Sequence, residues 1–213
     1  VNISAELSAI SAYGGFFALT LGGPEAGWRP LSQCYADGFA DLIDATATRY
    51  RTTPRIAASL VHLGHAARLW SPVLACALGH GALPDLTTLQ RADDGSALRL
   101  PEPAGERAAP SPELLYRVVV QQHMEPLEAG LRVKLATGLL SGNIASALVG
   151  AAQALLAVRP DLRQSIVEVT HALLDTGRLA GSGVITGELT FRRRSCCLFY
   201  RIPDAGKCGD CPL

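Results

Sequence analysis

Four of the six cysteines fall within sixteen residues, at Cys196, Cys197, Cys208 and Cys211, in the spacing C-C-x10-C-x2-C. A disulfide framework spreads its cysteines over a short secreted chain. This chain has 213 residues and is not evenly dotted, so the cluster points instead to a metal site. Four thiolates are what a tetrahedral zinc ion or a [2Fe–2S] centre takes. The Cys208-Gly-Asp-Cys211 half is a chelating loop common to both, with Gly209 giving the backbone freedom to wrap a metal. The adjacent pair is the unusual half. Neighbouring Cα atoms lie about 3.8 Å apart across a trans peptide, below the usual disulfide range of about 4.4–6.8 Å. In a regular strand the two side chains would also point to opposite faces. Both can reach one centre only if the chain turns there. A binuclear centre is wider than one ion and takes such a pair more readily, which favours the cluster over structural zinc without removing the alternative.

The rest of the chain must build a body for this segment. Basic and acidic side chains balance, at nineteen each, which argues against a nucleic-acid binder with a basic face. Hydrophobic residues make up 48% against 18% charged, so the chain is not disordered. The 24 residues between Lys134 and Arg159 carry no formal charge, long enough to span a bilayer. Ser141, Gly142 and Asn143 interrupt that run, and Asn143 reads as an N-cap, so a buried core helix over 143–158 is expected. The uncharged stretch Leu7–Pro24 has no basic start and contains two Gly-Gly pairs, unlike a signal peptide. The chain begins at Val1, which suggests a trimmed or incomplete N-terminus. A soluble cytoplasmic protein without stable membrane insertion is expected.

Along residues 3–21 a short helix is expected to run into a strand near Phe16–Leu21, followed by a loop bracketed by Gly27 and Pro30. Helical spacing continues over Asp37–Tyr50. A helix opens at Pro54 with Ile56, Leu60, Leu63, Ala67 and Trp70 on one side, and Pro72 starts a second apolar segment ending near Gly79-His80-Gly81. Asp93-Asp94-Gly95, between Leu86–Gln90 and Ala97–Leu100, signals a hairpin. Pro101, Pro103, Pro110 and Pro112 mark an irregular loop. Glu113–Gln122 reads as helix, with Pro126 bending or restarting it. A last helix spans about 161–176, opening on Pro160-Asp161 and closing at Gly177. The expected fold is mainly α with minor β: a helical body over 1–189 with a small β-hairpin element, and a C-terminal cysteine-rich segment over 190–213 of the same domain.

The C-C-x10-C-x2-C tail followed by Pro212 resembles the ferric-siderophore reductase family whose founding member is called FhuF, and the run Leu140-Ser-Gly-Asn-Ile-Ala-Ser-Ala-Leu is similar to that family's helical body. The resemblance implies that Cys196, Cys197, Cys208 and Cys211 ligate a [2Fe–2S] cluster. It also implies one-electron reduction of Fe(III) in a siderophore, releasing Fe(II). The chemistry suits such a carrier, because siderophores hold Fe³⁺ with hard oxygen ligands and Fe²⁺ is softer and bound far less tightly. Within residues 190–213, Arg192, Arg193, Arg194, Arg201 and Lys207 face only Asp204 and Asp210. These cations, with Tyr200, are candidates for docking an acidic donor or an anionic siderophore; otherwise they neutralise the cluster or stay solvated. Phe199 and Tyr200 either shield the cluster or belong to the core. Two further readings remain: a helical binding module with a structural four-cysteine zinc site, and a siderophore-binding accessory with little turnover.

Other constellations are weaker. Gly181–Gly187 has the wrong spacing and follows a helix, so it is not a nucleotide loop, and no Walker, flavin or nicotinamide fingerprint occurs. Electrons are therefore expected from an external donor such as a ferredoxin or other reductase. Glu168-x-x-His171 is a single copy of a repeat that di-iron bundles need twice. His62 and His65 lack an evident carboxylate partner and read as a polar helix edge. Cys34 and Cys76 read as small buried hydrophobes, and His80 and Trp70 as candidate cavity-lining residues.

Overall fold

Two long apolar helices packed on one another form the frame of the computed structural model, which describes residues 1–107, 109 and 111–213. Pro110, placed in the proline-marked loop, lies outside the described residues. In chain order the elements begin with α1 (Ser4–Ser11), β1 (Thr20–Leu21), β2 (Trp28–Pro30), α2 (Leu31–Ala36), α3 (Ala40–Tyr50) and α4 (Pro54–His80). There follow β3 (Ala82–Pro84), β4 (Gln90–Ala92), β5 (Leu98–Leu100), β6 (Gly105–Arg107), α5 (Pro112–Tyr116) and α6 (Glu125–Gly130). The chain then forms α7 (Thr137–Val158), α8 (Arg163–Leu174), β7 (Gly183–Thr186) and β8 (Thr190–Arg193). The architecture is mainly α with minor β.

The start and end of α4 follow from local chemistry. The Thr53 hydroxyl accepts the Ile56 N–H, Pro54 occupies the first turn, and Gly81 closes the helix in the left-handed region at φ 59°. Between them the helix is unbroken for 27 residues. Pro72 does not start a second segment but lies inside α4, in a stretch from Leu69 to Cys76 that is entirely buried. Tertiary burial there outweighs the lost backbone hydrogen bond, and Leu60 and Leu63, placed on the buried side by spacing, are only half-buried.

The uncharged run is likewise one helix. Ser141, Gly142 and Asn143 lie within α7, and Asn143 is a buried bridge rather than an N-cap. Its amide donates to the Ser59 carbonyl on α4 at 2.9 Å, satisfying a polar group that a helix interior otherwise disfavours. A Cβ on Gly142 would lie 2.2 Å from Ser195 Oγ, so this glycine marks where the C-terminal segment presses on α7. Among the described residues α7 is the one helix long and apolar enough to cross a membrane, and 72% of its most apolar window is buried within the protein.

The β structure is distributed. β4 and β5 form the expected hairpin, pairing Gln90 with Arg99, but its first strand starts only at Gln90. The hairpin grows into a four-stranded sheet of order β1-β5-β4-β2, with β1 parallel to β5. The Phe16–Leu21 strand shrinks to Thr20–Leu21 behind a 3-10 turn at Gly15–Phe17. β3 pairs with β6, and β7 with β8, from Gly183 opposite Arg193 to Thr186 opposite Thr190. The α2 helix occupies a stretch without a helical periodicity signal, and Phe39 at φ 53° makes the corner into α3. Between α5 and α6 the helix widens to π-type turns over Arg117–Met124, where the Glu125 N–H reaches the Val120 carbonyl. Pro126 enters without breaking it.

Where α2 meets α6, two glycines let the backbones touch. A Cβ on Gly130 would sit 1.7 Å from the Tyr35 carbonyl oxygen, and one on Gly38 2.1 Å from the Gly130 oxygen. Gly130→Ala is expected to cost about 2–4 kcal/mol of stability, seen as a lower urea midpoint; an unchanged midpoint would show that the two helices can part freely.

Candidate functional site

The tail is folded back on the strand that delivers it. After β8 the chain leaves regular structure at Arg194, so Cys196 and Cys197 are not on opposite faces of a strand. Leu198, in the left-handed region at φ 68°, turns the chain directly behind them. This is the turn that the adjacent pair required. A 3-10 turn over Phe199–Arg201 follows, and the chain returns through Cys208-Gly-Asp-Cys211, where the Cys211 N–H meets the Cys208 carbonyl at 3.2 Å. The Arg193 N–H donates to the Asp210 carbonyl at 3.1 Å, and the Arg192 guanidinium to the Pro212 carbonyl at 3.0 Å, clasping the return against β8.

The clasp brings the two cysteine halves together. Cys197 Sγ and Cys208 Sγ lie 3.4 Å apart. The Leu198 N–H points at Cys196 Sγ at 3.3 Å, a donor placed to favour a thiolate. Burial, and then the Cys197 thiol, push the Cys208 thiol above its ordinary range; a bound cation reverses that balance. Four thiols on two facing segments are the donor set that a [2Fe–2S] centre takes.

Behind the thiols is a buried polar scaffold. Ser59 on α4 donates its hydroxyl to the Cys197 carbonyl at 2.7 Å. The Arg193 guanidinium donates to the Ser195 carbonyl at 2.5 Å, to Asn143 Oδ1 at 2.7 Å and to the Leu139 carbonyl at 3.3 Å. Arg193 is only 1% exposed and is thereby corrected from docking residue to internal brace, since a buried guanidinium cannot meet a partner at the surface. Arg192, Arg194, Arg201, Lys207 and Tyr200 are exposed around the tail. Arg194 donates to the Gly181 carbonyl at 3.1 Å, and the Arg201 guanidinium lies 5.6 Å from the Tyr200 ring centroid. Phe199 is half-buried and lines a cavity beside the tail.

Other candidates resolve differently. His62 and His65 are not a polar edge but core residues. His62 Nε2 meets Glu128 Oε1 at 2.9 Å, the carboxylate partner that sequence spacing did not show. Arg178 donates to the other Glu128 oxygen at 2.6 Å. Burial raises the Glu128 carboxyl, but the hydrogen bonds from His62 and Arg178 outweigh it and hold it below the usual range. Tyr35 Oη bridges His65 Nε2 at 2.8 Å and His123 Nδ1 at 2.9 Å. Trp70 is fully buried core rather than cavity lining. His80 ends α4 roughly 30 Å along the helix from Ser59 at 1.5 Å per residue, too far to serve the tail. His171 meets the Glu188 carbonyl at 2.8 Å rather than Glu168. Cys34 and Cys76 are buried free thiols. Sequence reading missed Ser59, His123 and Glu128; for Ser59 the available signal was a polar side chain within an apolar helix.

A cysteine-ligated metal centre carried on a helical body is the class of protein that this geometry defines. The particular kind is given by residues 193–213, which match the family described as the FhuF 2Fe-2S C-terminal domain. The match covers the tail and all four cysteines, so this segment is similar to the FhuF-type [2Fe–2S] domain, which supports an iron–sulfur cluster as its cofactor. No curated protein matches the chain.

Proposed function

We propose that this chain reduces Fe(III) held by a siderophore to Fe(II), drawing one electron at a time from an external donor such as a ferredoxin or another reductase. The observation that carries the reading is the matched segment with its four cysteines folded together, Cys197 against Cys208. When bound, the cluster supplies one-electron chemistry at a site that needs no second redox group. The residues of the chain do the rest. Ser59 and Arg193 fix the ligand-bearing loops to α4 and α7, and on that ground the body 1–189 and the segment 190–213 act as one domain. Exposed Arg192, Arg194, Arg201 and Lys207, with Tyr200, offer cations and a ring where an acidic donor or an anionic chelate would dock. Such steering weakens as ionic strength rises. The free thiols of Cys34 and Cys76 suit the reducing cytoplasm, where we place the activity.

The test is anaerobic mixing of the reduced, cluster-loaded protein with a ferric siderophore and a ferrous trap. Equal amounts of cluster reoxidised and Fe(II) captured are expected. Binding without reoxidation, or reoxidation without captured Fe(II), would reduce the protein to an accessory and overturn the reading.

A further inference from the structure

A cavity of about 620 Å³ lies between α2 and the helix that runs from the π-type turns into α6. Its buried lining is Leu31 and Tyr35 from α2 and His123 from the π-type turns; Ala36 of α2 and Pro126 and Ala129 of α6 line it from exposed positions. The size is that of a small-molecule site. The close approach of backbones at Gly38 and Gly130 sets the spacing of the two walls. No residue of the cysteine segment lines this cavity.

One polar atom of the lining is unspent. His123 is 4% exposed, its Nδ1 is held by Tyr35 Oη at 2.9 Å, and its Nε2 has no partner. The Tyr35 hydroxyl is engaged on its other side by His65 Nε2 at 2.8 Å. A buried nitrogen left without a hydrogen bond is costly and rare. The same residue stands on π-type turns, a widening that helices use mostly at functional sites. Two independent irregularities therefore fall on one side chain at the floor of a cavity.

The lining sets the charge of a guest. No Arg, Lys, Asp or Glu among the described residues lines the cavity. Burial pushes His123 down to about 4, so its ring is neutral at neutral pH. An ionised guest would lose its water here and gain no counter-ion. The bridge sets the polar group. Tyr35 has one proton to give, so it donates to one imidazole and accepts from the other. Where it donates to His123, Nε2 carries the hydrogen; where it donates to His65, Nε2 carries a lone pair. A hydroxyl serves both cases, accepting in the first and donating in the second, whereas a carbonyl serves only the first.

We infer that this cavity binds a small uncharged molecule with an apolar body and a hydroxyl group, an alcohol or a phenol, whose oxygen pairs with His123 Nε2. The site is independent of the reductase reading and stands apart from the paired cysteines.

Fluorine NMR titration of the cluster-loaded full chain at neutral pH tests it with three probes of one shape: 4-fluorophenol, fluorobenzene and 4-fluorobenzoate. The phenol is expected to bind in roughly the millimolar range usual for so small a probe. Fluorobenzene, which lacks the hydroxyl, should bind about tenfold more weakly, the scale of one hydrogen bond to a buried group, and the anionic benzoate should not bind. His123→Phe keeps a ring but no nitrogen, and is expected to bring phenol and fluorobenzene to equal affinity. Ala129→Trp, filling the cavity from α6, and Ala36→Trp, filling it from α2, should each abolish binding while the cluster spectrum holds. If one filling variant fails to fold, the other decides; if His123→Phe fails to fold, the three probes on the unaltered chain decide. Absence of saturable phenol binding, equal affinity for fluorobenzene in the unaltered chain, a phenol preference retained in folded His123→Phe, or binding that survives a folded filling variant would each overturn the inference. None of these results bears on electron transfer, which stands or falls by Fe(II) capture.

Discussion

Cys208→Ser is expected to strip the chain of its [2Fe–2S] absorption, or to leave a distorted remnant, and Cys197→Ser to do the same. Both sulfurs sit where the two halves of the tail meet, 3.4 Å apart. Neither position can be supplied from elsewhere, because Cys197 is 1% exposed with its carbonyl held by Ser59, and the Cys208 loop is clasped through Asp210. A serine hydroxyl stays protonated where a thiol gives up its proton to a metal, so three thiolates would hold the centre poorly. Loss of the cluster also removes the binding energy that fixes the tail, and faster proteolysis after β8 should accompany the lost colour. The control is Cys76→Ser. Burial pushes the Cys76 thiol up to about 12, so it is no thiolate at neutral pH, and its replacement should leave the visible spectrum intact. A cluster spectrum unchanged in Cys208→Ser would refute the ligand assignment.

What the sequence made legible was chemistry stated by local spacing. The four cysteines announce their donor set, Thr53-Pro54 and Gly81 announce the ends of α4, and Asp93-Asp94-Gly95 announces a hairpin. What stayed hidden depended on partners distant in the chain. Asn143 looks like a cap because its side chain competes for backbone groups in isolation; in the fold, Ser59 and Arg193 satisfy it 84 and 50 residues away. Pro72 looks like a break for the same reason, since only burial of the surrounding stretch keeps α4 continuous. His62 appeared to lack a carboxylate because Glu128 lies 66 residues further on. One miss was avoidable. Arg192 and Arg193 end a strand, and period-two alternation puts Arg193 on the face of buried Phe191 while Arg192 faces out, with exposed Arg194 following just past the strand. Counting the three as equal surface cations overlooked that rule.

Arg193→Met is expected to damage the protein in two measurable ways, and Arg193→Lys to separate them. The guanidinium serves three acceptors at once: the Ser195 and Leu139 carbonyls and Asn143 Oδ1. Methionine approximates the stem but leaves those acceptors buried and unpaired, a loss of about 3–5 kcal/mol by chemical denaturation. The second effect is electrostatic. Burial holds the Cys196 thiol above its ordinary range, and the Leu198 N–H and the Arg193 charge oppose that shift; the same charge should favour the reduced, more negative state of the centre. At an effective dielectric constant of about 20, a unit charge close to the centre is worth on the order of 2 kcal/mol, roughly 50–100 mV for one electron. The methionine variant should therefore show a reduction potential lower by about that amount in a potentiometric titration. Lysine keeps the charge but not the planar fork. Arg193→Lys should accordingly lose much of the stability while retaining most of the potential. If both variants shift the potential equally, the effect is loosening of the tail rather than charge; if neither loses stability, Arg193 is not the brace that joins the cysteine segment to α7.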